Sequence, residues 1–341
     1  MKPVVIDHLV AQIENCVSTH KLASGCYARW LWNNKEGSRK LGRNEYGCAD
    51  AANILYTIGA FPADPAERAA FVENLQAMQE PDTGLYREAT HHPIHTTAHC
   101  MAALELFDAK PLHKATALEP CTTKEGLYQL LEREVVWGER PWPGSHQGAG
   151  ILPSLTNCDM VGLEWKNWYF DWMWQHSDPE LGFVIFGEKK ALNQRDYMCS
   201  GFHYLFNHEA ERRPLRYPEK IVDYCLLMMA DPVKYEFVGT RKKNSIVQYC
   251  GFIDVDVVYS LSRAMRQTPH RFWEAKEALE KFAESYIAMF EAIDFEKDES
   301  FNDLHMLFGA VCCLAELQSA LPGKILTTKP LRLVLDRRPF I

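Results

Sequence analysis

The feature that most constrains this 341-residue chain is a recurrence: a polar or ionisable cluster, an apolar stretch of helical length, then a proline. Gly47-Cys-Ala-Asp50 leads into an apolar run to Gly59 and then Pro62. His95-Thr-Thr-Ala-His99 leads into another to Phe107 and then Pro111, so Asp50 and His99 each stand 12 residues before their proline. Looser copies run from His203 to Pro214, from Asp254 to Pro269, and from Asp303 and His305 to Pro322. Between them lie amphipathic segments such as Arg271 to Ile293. There Phe272, Ala275, Leu279, Phe282, Tyr286, Met289 and Phe290 keep a three-four spacing that predicts a helix with one buried stripe. Helices apolar all round, alternating with amphipathic ones, predict an inner and an outer layer. Strand patterns are confined to Phe183–Phe186 and Leu331–Leu335, which read as short hairpins, and Trp137–Pro153 reads as a long loop on a cavity rim. No linker composition divides residues 1–341, so one domain is expected.

Charge and motifs narrow the function. The chain has 37 Lys plus Arg against 45 Asp plus Glu, a net charge of -8 without a dense basic run, which argues against a nucleic-acid partner. No window supplies 18 uncharged apolar residues, which argues against a membrane span. The first eight residues lack a signal-peptide h-region, and the 11 cysteines include no CxxC, so reduced thiols and a cytoplasmic location are expected. Glycine-rich phosphate loops and a GxSxG nucleophile elbow are absent from the sequence.

Two turns echo each other, Gln79-Glu-Pro-Asp-Thr-Gly-Leu-Tyr86 and Ser177-Asp-Pro-Glu-Leu-Gly-Phe183, with glycines 98 residues apart. Each is followed by an apolar helix, and together they resemble the turns of the α/α-toroid superfamily. That group includes (α/α)6 glycoside hydrolases and polysaccharide lyases, and also terpenoid cyclases and protein prenyltransferases. The resemblance spans roughly residues 45 to 320. It implies an all-α fold, an (α/α)6-type barrel of helical hairpins with short β-hairpin or loop elements.

In such a toroid the leading ends of the inner helices converge, which gathers Asp50, His95, His99, His203, Asp254, Asp256, Asp303 and His305. The preceding loops add Tyr46, Glu88, His91, His92, Arg195, Asp196, Tyr197 and Tyr249. His95 and His99 share a helix face at i and i+4 beyond Pro93, a spacing that suits zinc. The metalloprotease pattern, however, needs Glu where Thr96 stands, so no metal and no cofactor are expected. Glu88 is expected to orient one of those imidazoles. Asp254 and Asp256 are similar to the acidic DxDD motif of class II terpenoid cyclases, with a departure at Val257; the plainer reading makes Asp254 a helix cap.

Hydrolysis of a glycosidic bond would draw its carboxylates from Asp50, Glu88, Asp254 or Asp256. Elimination or epimerisation at a uronate would use His95, His99, His203 and Tyr249 as proton carriers. Trp142 and Trp165 offer flat platforms for sugar rings, and Arg195 a clamp for a uronate carboxylate. Tyr46, Asp303 and His305 complete the expected binding set. The leading expectation is a carbohydrate-active enzyme, a hydrolase or lyase of a small, uronate-containing oligosaccharide. The alternatives are terpenoid-cyclase-like or prenyl-transfer chemistry through Asp254 and Asp256, and a non-catalytic ligand-binding toroid.

Overall fold

The computed structural model describes residues 1–238, 241–243, 246–248, 250–337 and 340. In chain order the elements are β1 (Val4–Val5), α1 (Asp7–Thr19), β2 (Lys21–Ala23), β3 (Cys26–Tyr27), α2 (Glu45–Thr57), α3 (Pro65–Gln76), α4 (Pro93–Glu105), α5 (Lys124–Gln129), α6 (Pro141–Thr156) and α7 (Leu163–Gln175). There follow α8 (Arg195–Ala210), α9 (Pro218–Met229), β4 (Arg241–Lys243), β5 (Ile246–Gln248), α10 (Phe252–Met265), α11 (Phe272–Ala292), α12 (Glu299–Asn302), α13 (Leu304–Ala320), β6 (Ile325–Leu326) and α14 (Val334–Arg337). With 57% helix and 5% strand the fold is all-α.

Six helices pack in cyclic order: α2 on α4, α4 on α6, α6 on α8, α8 on α10, α10 on α13, and α13 back on α2. Their sequences explain why. In α4 every residue except Pro93 and Glu105 is buried, as only a helix contacted on all sides can be. The helices between them bury one face. α11 buries Ala275, Leu279, Phe282, Tyr286, Met289 and Phe290, as its spacing predicts, and packs on α9, α10 and α13. α1 lies on α2, α3 on α2 and α4. α7 reaches two ring helices through Tyr169, whose hydroxyl donates to Gly148 O (2.8 Å) and accepts from Asn207 Nδ2 (3.1 Å).

Helix ends are set by backbone chemistry one turn before the prolines. Gly59, Asp108, Asp159 and Arg212 all have φ between 51° and 75°. The next N–H in each case reaches back to the carbonyl five residues earlier: Ala60 to Leu55, Ala109 to Leu104, Met160 to Leu155 and Arg213 to His208. These closures stop α2, α4, α6 and α8, and Pro62, Pro111 and Pro214 follow two or three residues later. The two echoed turns are one structure used twice. Glu80 N donates to Leu85 O (2.9 Å) and Gly84 N to Glu80 O (2.8 Å); Asp178 N donates to Phe183 O (2.8 Å) and Gly182 N to Asp178 O (2.8 Å). Gly84 and Gly182 both have positive φ, 68° and 81°.

Two sequence expectations fail. Trp137–Pro153 is not a loop: from Pro141 it forms α6, a member of the ring. Pro141 and Pro143 sit in its first turn, where amide hydrogens have no helical partner, and Pro153 falls in its last. Its glycines admit neighbours, for a Cβ on Gly144 would stand 2.5 Å from Val136 O and one on Gly148 2.4 Å from the Tyr204 hydroxyl. The expected hairpins are also absent. Phe183–Phe186 makes only a bridge between Ser177 and Val184, and Leu331–Leu335 runs into α14. The short strands pair β1 with β6 in parallel, and β2 with β3 and β4 with β5 antiparallel. The 11 cysteines form no disulfide, and no described helix is long and apolar enough to cross a membrane.

Candidate functional site

The ring helices meet around a cavity of about 170 Å³ lined by His91, His95, Trp142, Pro143, His146, His203, Phe252, Asp256 and His305; His95 and His305 come from first turns, whereas His203 comes from the middle of α8. Five imidazoles therefore face one small space. A larger groove of about 530 Å³ lies between α9 and α11, but its charged residues are exposed and spent on each other, Arg271 on Glu274 and Lys281 on Glu277. We place the chemistry in the smaller cavity for that reason.

Each wall is held by hydrogen bonds to the far side of the imidazole. On α4, His95 Nδ1 meets the Tyr46 hydroxyl at 2.7 Å, which leaves Nε2 to the cavity. On α8, His203 Nδ1 stands 2.9 Å from Ser145 Oγ. Ser145 spends its own proton on Trp142 O (2.5 Å), so His203 is the donor and its Nε2 carries the lone pair. On α13, His305 Nδ1 lies 3.1 Å from Asp50 Oδ2, while His99 Nε2 lies 2.8 Å from Asp50 Oδ1. Tyr46 stacks on His91 and His99, with ring centroids 4.6 and 4.8 Å apart.

Burial fixes the charge state. It drives His95, His146 and His305 well below the ordinary imidazole range and carries His203 down to about 3; the crowding of imidazoles, which cannot all be charged at once, acts in the same direction, as does Arg29 on His305. The positive N-terminal ends of α4 and α13 act in the same direction on His95 and His305, which lie in their first turns. Burial also raises the Asp50 carboxyl, opposed by the charge and hydrogen bond of His99. The cavity is thus ringed by neutral bases, with Asp256 as the carboxylate on its wall.

Several expected residues stand elsewhere. Asp254 is not the N-cap of α10, a place taken by Gly251; it stands at the third helical position and its carboxylate accepts from Gly251 N (3.2 Å) and Val238 N (2.9 Å). Asp303 caps α13 and is held by Arg29 through two bonds of 2.8 and 3.0 Å. Glu88 serves Arg29, Thr90 and His91 rather than His95 or His99; burial pushes its carboxyl up, but those partners take it down to about 2. Tyr46 and Asp50 do the orienting instead. Trp165 is buried on α7 with its indole N–H on Cys121 O, and Arg195 is paired with Glu236 and Tyr235 O, so neither lines the cavity. Tyr249 lies outside the described residues. Missing from the expected set are His146, Ser145, Phe252 and Phe340, whose ring lies 4.9 Å from that of His95.

Two groups have the composition of a metal site: His95, His146 and His203, and Asp50, His99 and His305, each with ligand atoms within 4.8 Å of one another. In the second group Asp50 is already engaged by both imidazoles. No protein-family model, curated protein or solved structure matches the chain, so the geometry of the cavity carries the functional reading.

Proposed function

We propose that the chain is an enzyme of proton transfer on a small sugar-derived substrate, an eliminase or epimerase. The observation that carries this is the Asp50–His305 pair at the cavity wall. A carboxylate that accepts from Nδ1 fixes the tautomer in which Nε2 is bare, and that nitrogen then abstracts a proton from a carbon acid. Asp256 on the wall beside it is placed to return a proton or bind a hydroxyl.

The same lining weighs against the other chemistries. Glycoside hydrolysis asks for two carboxyl groups across the substrate, and among the described lining residues Asp256 is the only one. A terpenoid chamber asks for an apolar aromatic wall and cations for a diphosphate. Here five histidines and Asp256 outnumber Trp142, Pro143 and Phe252, and no described lining residue is Lys or Arg. Trp142 and Phe252 suit the apolar faces of a sugar-sized ring.

Incubation in deuterium oxide with a panel of uronates, keto sugars and aldoses tests the reading by NMR. Deuterium entering the carbon next to a carbonyl or carboxyl, at a rate lowered at least about a hundredfold by His305→Asn, is the expected result. Tight binding of a sugar with neither exchange nor turnover would favour the non-catalytic alternative.

A further inference from the structure

From the convergence of His95, His146 and His203 on one cavity, we propose that these three side chains form a binding site for a divalent transition metal, zinc foremost, with an open coordination position facing the substrate. The three come from consecutive ring helices, α4, α6 and α8, so their spacing is set by rigid packing. Their nitrogens already lie within 4.8 Å of each other. Tetrahedral zinc at about 2.0–2.1 Å from each ligand needs them about 3.4 Å apart, a closure that small side-chain rotations supply.

Outer hydrogen bonds prepare two of the three. Tyr46 on His95 Nδ1 and Ser145 on His203 Nδ1 turn Nε2 inward, the arrangement by which metal-bound imidazoles are usually oriented. Three protein ligands leave the fourth position of zinc for water or for a carbonyl or carboxylate oxygen of the substrate. That would provide the positive charge that neither Arg29 nor Arg195 brings to the cavity, since both are spent on neighbouring carboxylates.

The metal's role in turnover rests on the proposed function, but its binding does not. Chelator-stripped full-length chain is therefore titrated with zinc sulfate by calorimetry at pH 7 without substrate, and with cobalt(II) by visible absorption. One equivalent per chain, with intense tetrahedral cobalt bands, is expected. Affinity should fall at least about a hundredfold in His146→Ala and His203→Gln, about tenfold in Ser145→Ala, and not at all in His8→Ala, which alters an exposed histidine. His146 is only half-buried, so its variant is the least exposed to misfolding, and circular dichroism checks each protein. Failure to bind, or binding unchanged in both ligand variants, overturns the proposal. So does binding lost in His305→Ala but kept in His146→Ala, which would put the metal on Asp50, His99 and His305. None of these results bears on proton exchange measured in the stripped protein.

Discussion

Asp50 and His305 are 255 positions apart in the chain and 3.1 Å apart in space, one on the first helix of the ring and one on the last. The bond therefore exists only when the ring has closed. It joins the fold to the chemistry, because the carboxylate that orients His305 also accepts from His99.

Replacing Asp50 with Asn should keep a side chain of the same shape but offer His305 an amide in place of a carboxylate. The imidazole is then held in either tautomer, and proton abstraction should slow by at least about a hundredfold. Exchange rate and melting temperature on the same variant check it: a slow enzyme with a near-native melt is the expected pattern.

The two aspartates of α10 should behave differently. Asp254→Ala removes the acceptor of Gly251 N and Val238 N and should cost roughly 1–2 kcal/mol of stability with turnover nearly intact. Asp256→Asn should leave the melt almost unchanged and remove most of the activity, since Asp256 lines the cavity. Equal effects of both variants on rate would contradict this assignment.

Acid should destabilise the chain through its buried histidines. In the unfolded state an imidazole titrates near 6.5, whereas native His203 titrates at about 3 because of burial. Between those values the unfolded chain binds a proton that the native chain does not, so stability is complete above about pH 6.5 and is lost as the pH falls toward 3. Each such histidine contributes a slope of about 1.4 kcal/mol per pH unit. Urea unfolding of chelator-treated protein between pH 4.5 and 7.5 measures it, and His203→Gln should reduce the slope by about one proton.

A buried ion pair behind the ring offers a test of packing. Arg263, 1% exposed, donates two bonds to Glu316 (2.6 and 2.7 Å) and one to Asp336 of α14 (2.8 Å). Glu316→Ala removes the two short bonds and leaves the guanidinium buried with Asp336 and the more distant Glu209 (3.8 Å), and should cost about 3 kcal/mol. The double variant Arg263→Met, Glu316→Leu should recover most of that loss. Calorimetric melting of the three proteins decides it.

The ring helices are legible because buried polar residues in an apolar helix are costly unless paired, and Asp50, His95, His203, Asp256 and His305 stand out on that ground, although His203, expected to open its helix, lies two turns inside α8. The closure Gly59, Asp108, Asp159 and Arg212 give is less visible, since three of the four are not glycine and the prolines draw attention one turn too late. His146 is hidden by the glycines and prolines around it. The signal was there in Gly144, Gly148, Ile151 and Leu155, one face of a helix begun by prolines. Arg195 and Trp165 mislead for a different reason, because a side chain's partners across the fold, Glu236 for one and Cys121 for the other, are not written near it in sequence.

Helical hairpins can also stack into an open array, which grows or shrinks by whole units and must shield its two raw ends with polar capping repeats. Here α13 returns to α2, so each end of the array is the other's cap. Such a molecule has a fixed circumference. One hairpin more or less would change the curvature everywhere at once, and with it the spacing of the five imidazoles, so this chain would tolerate a change in the length of its loops far more readily than one in its number of turns.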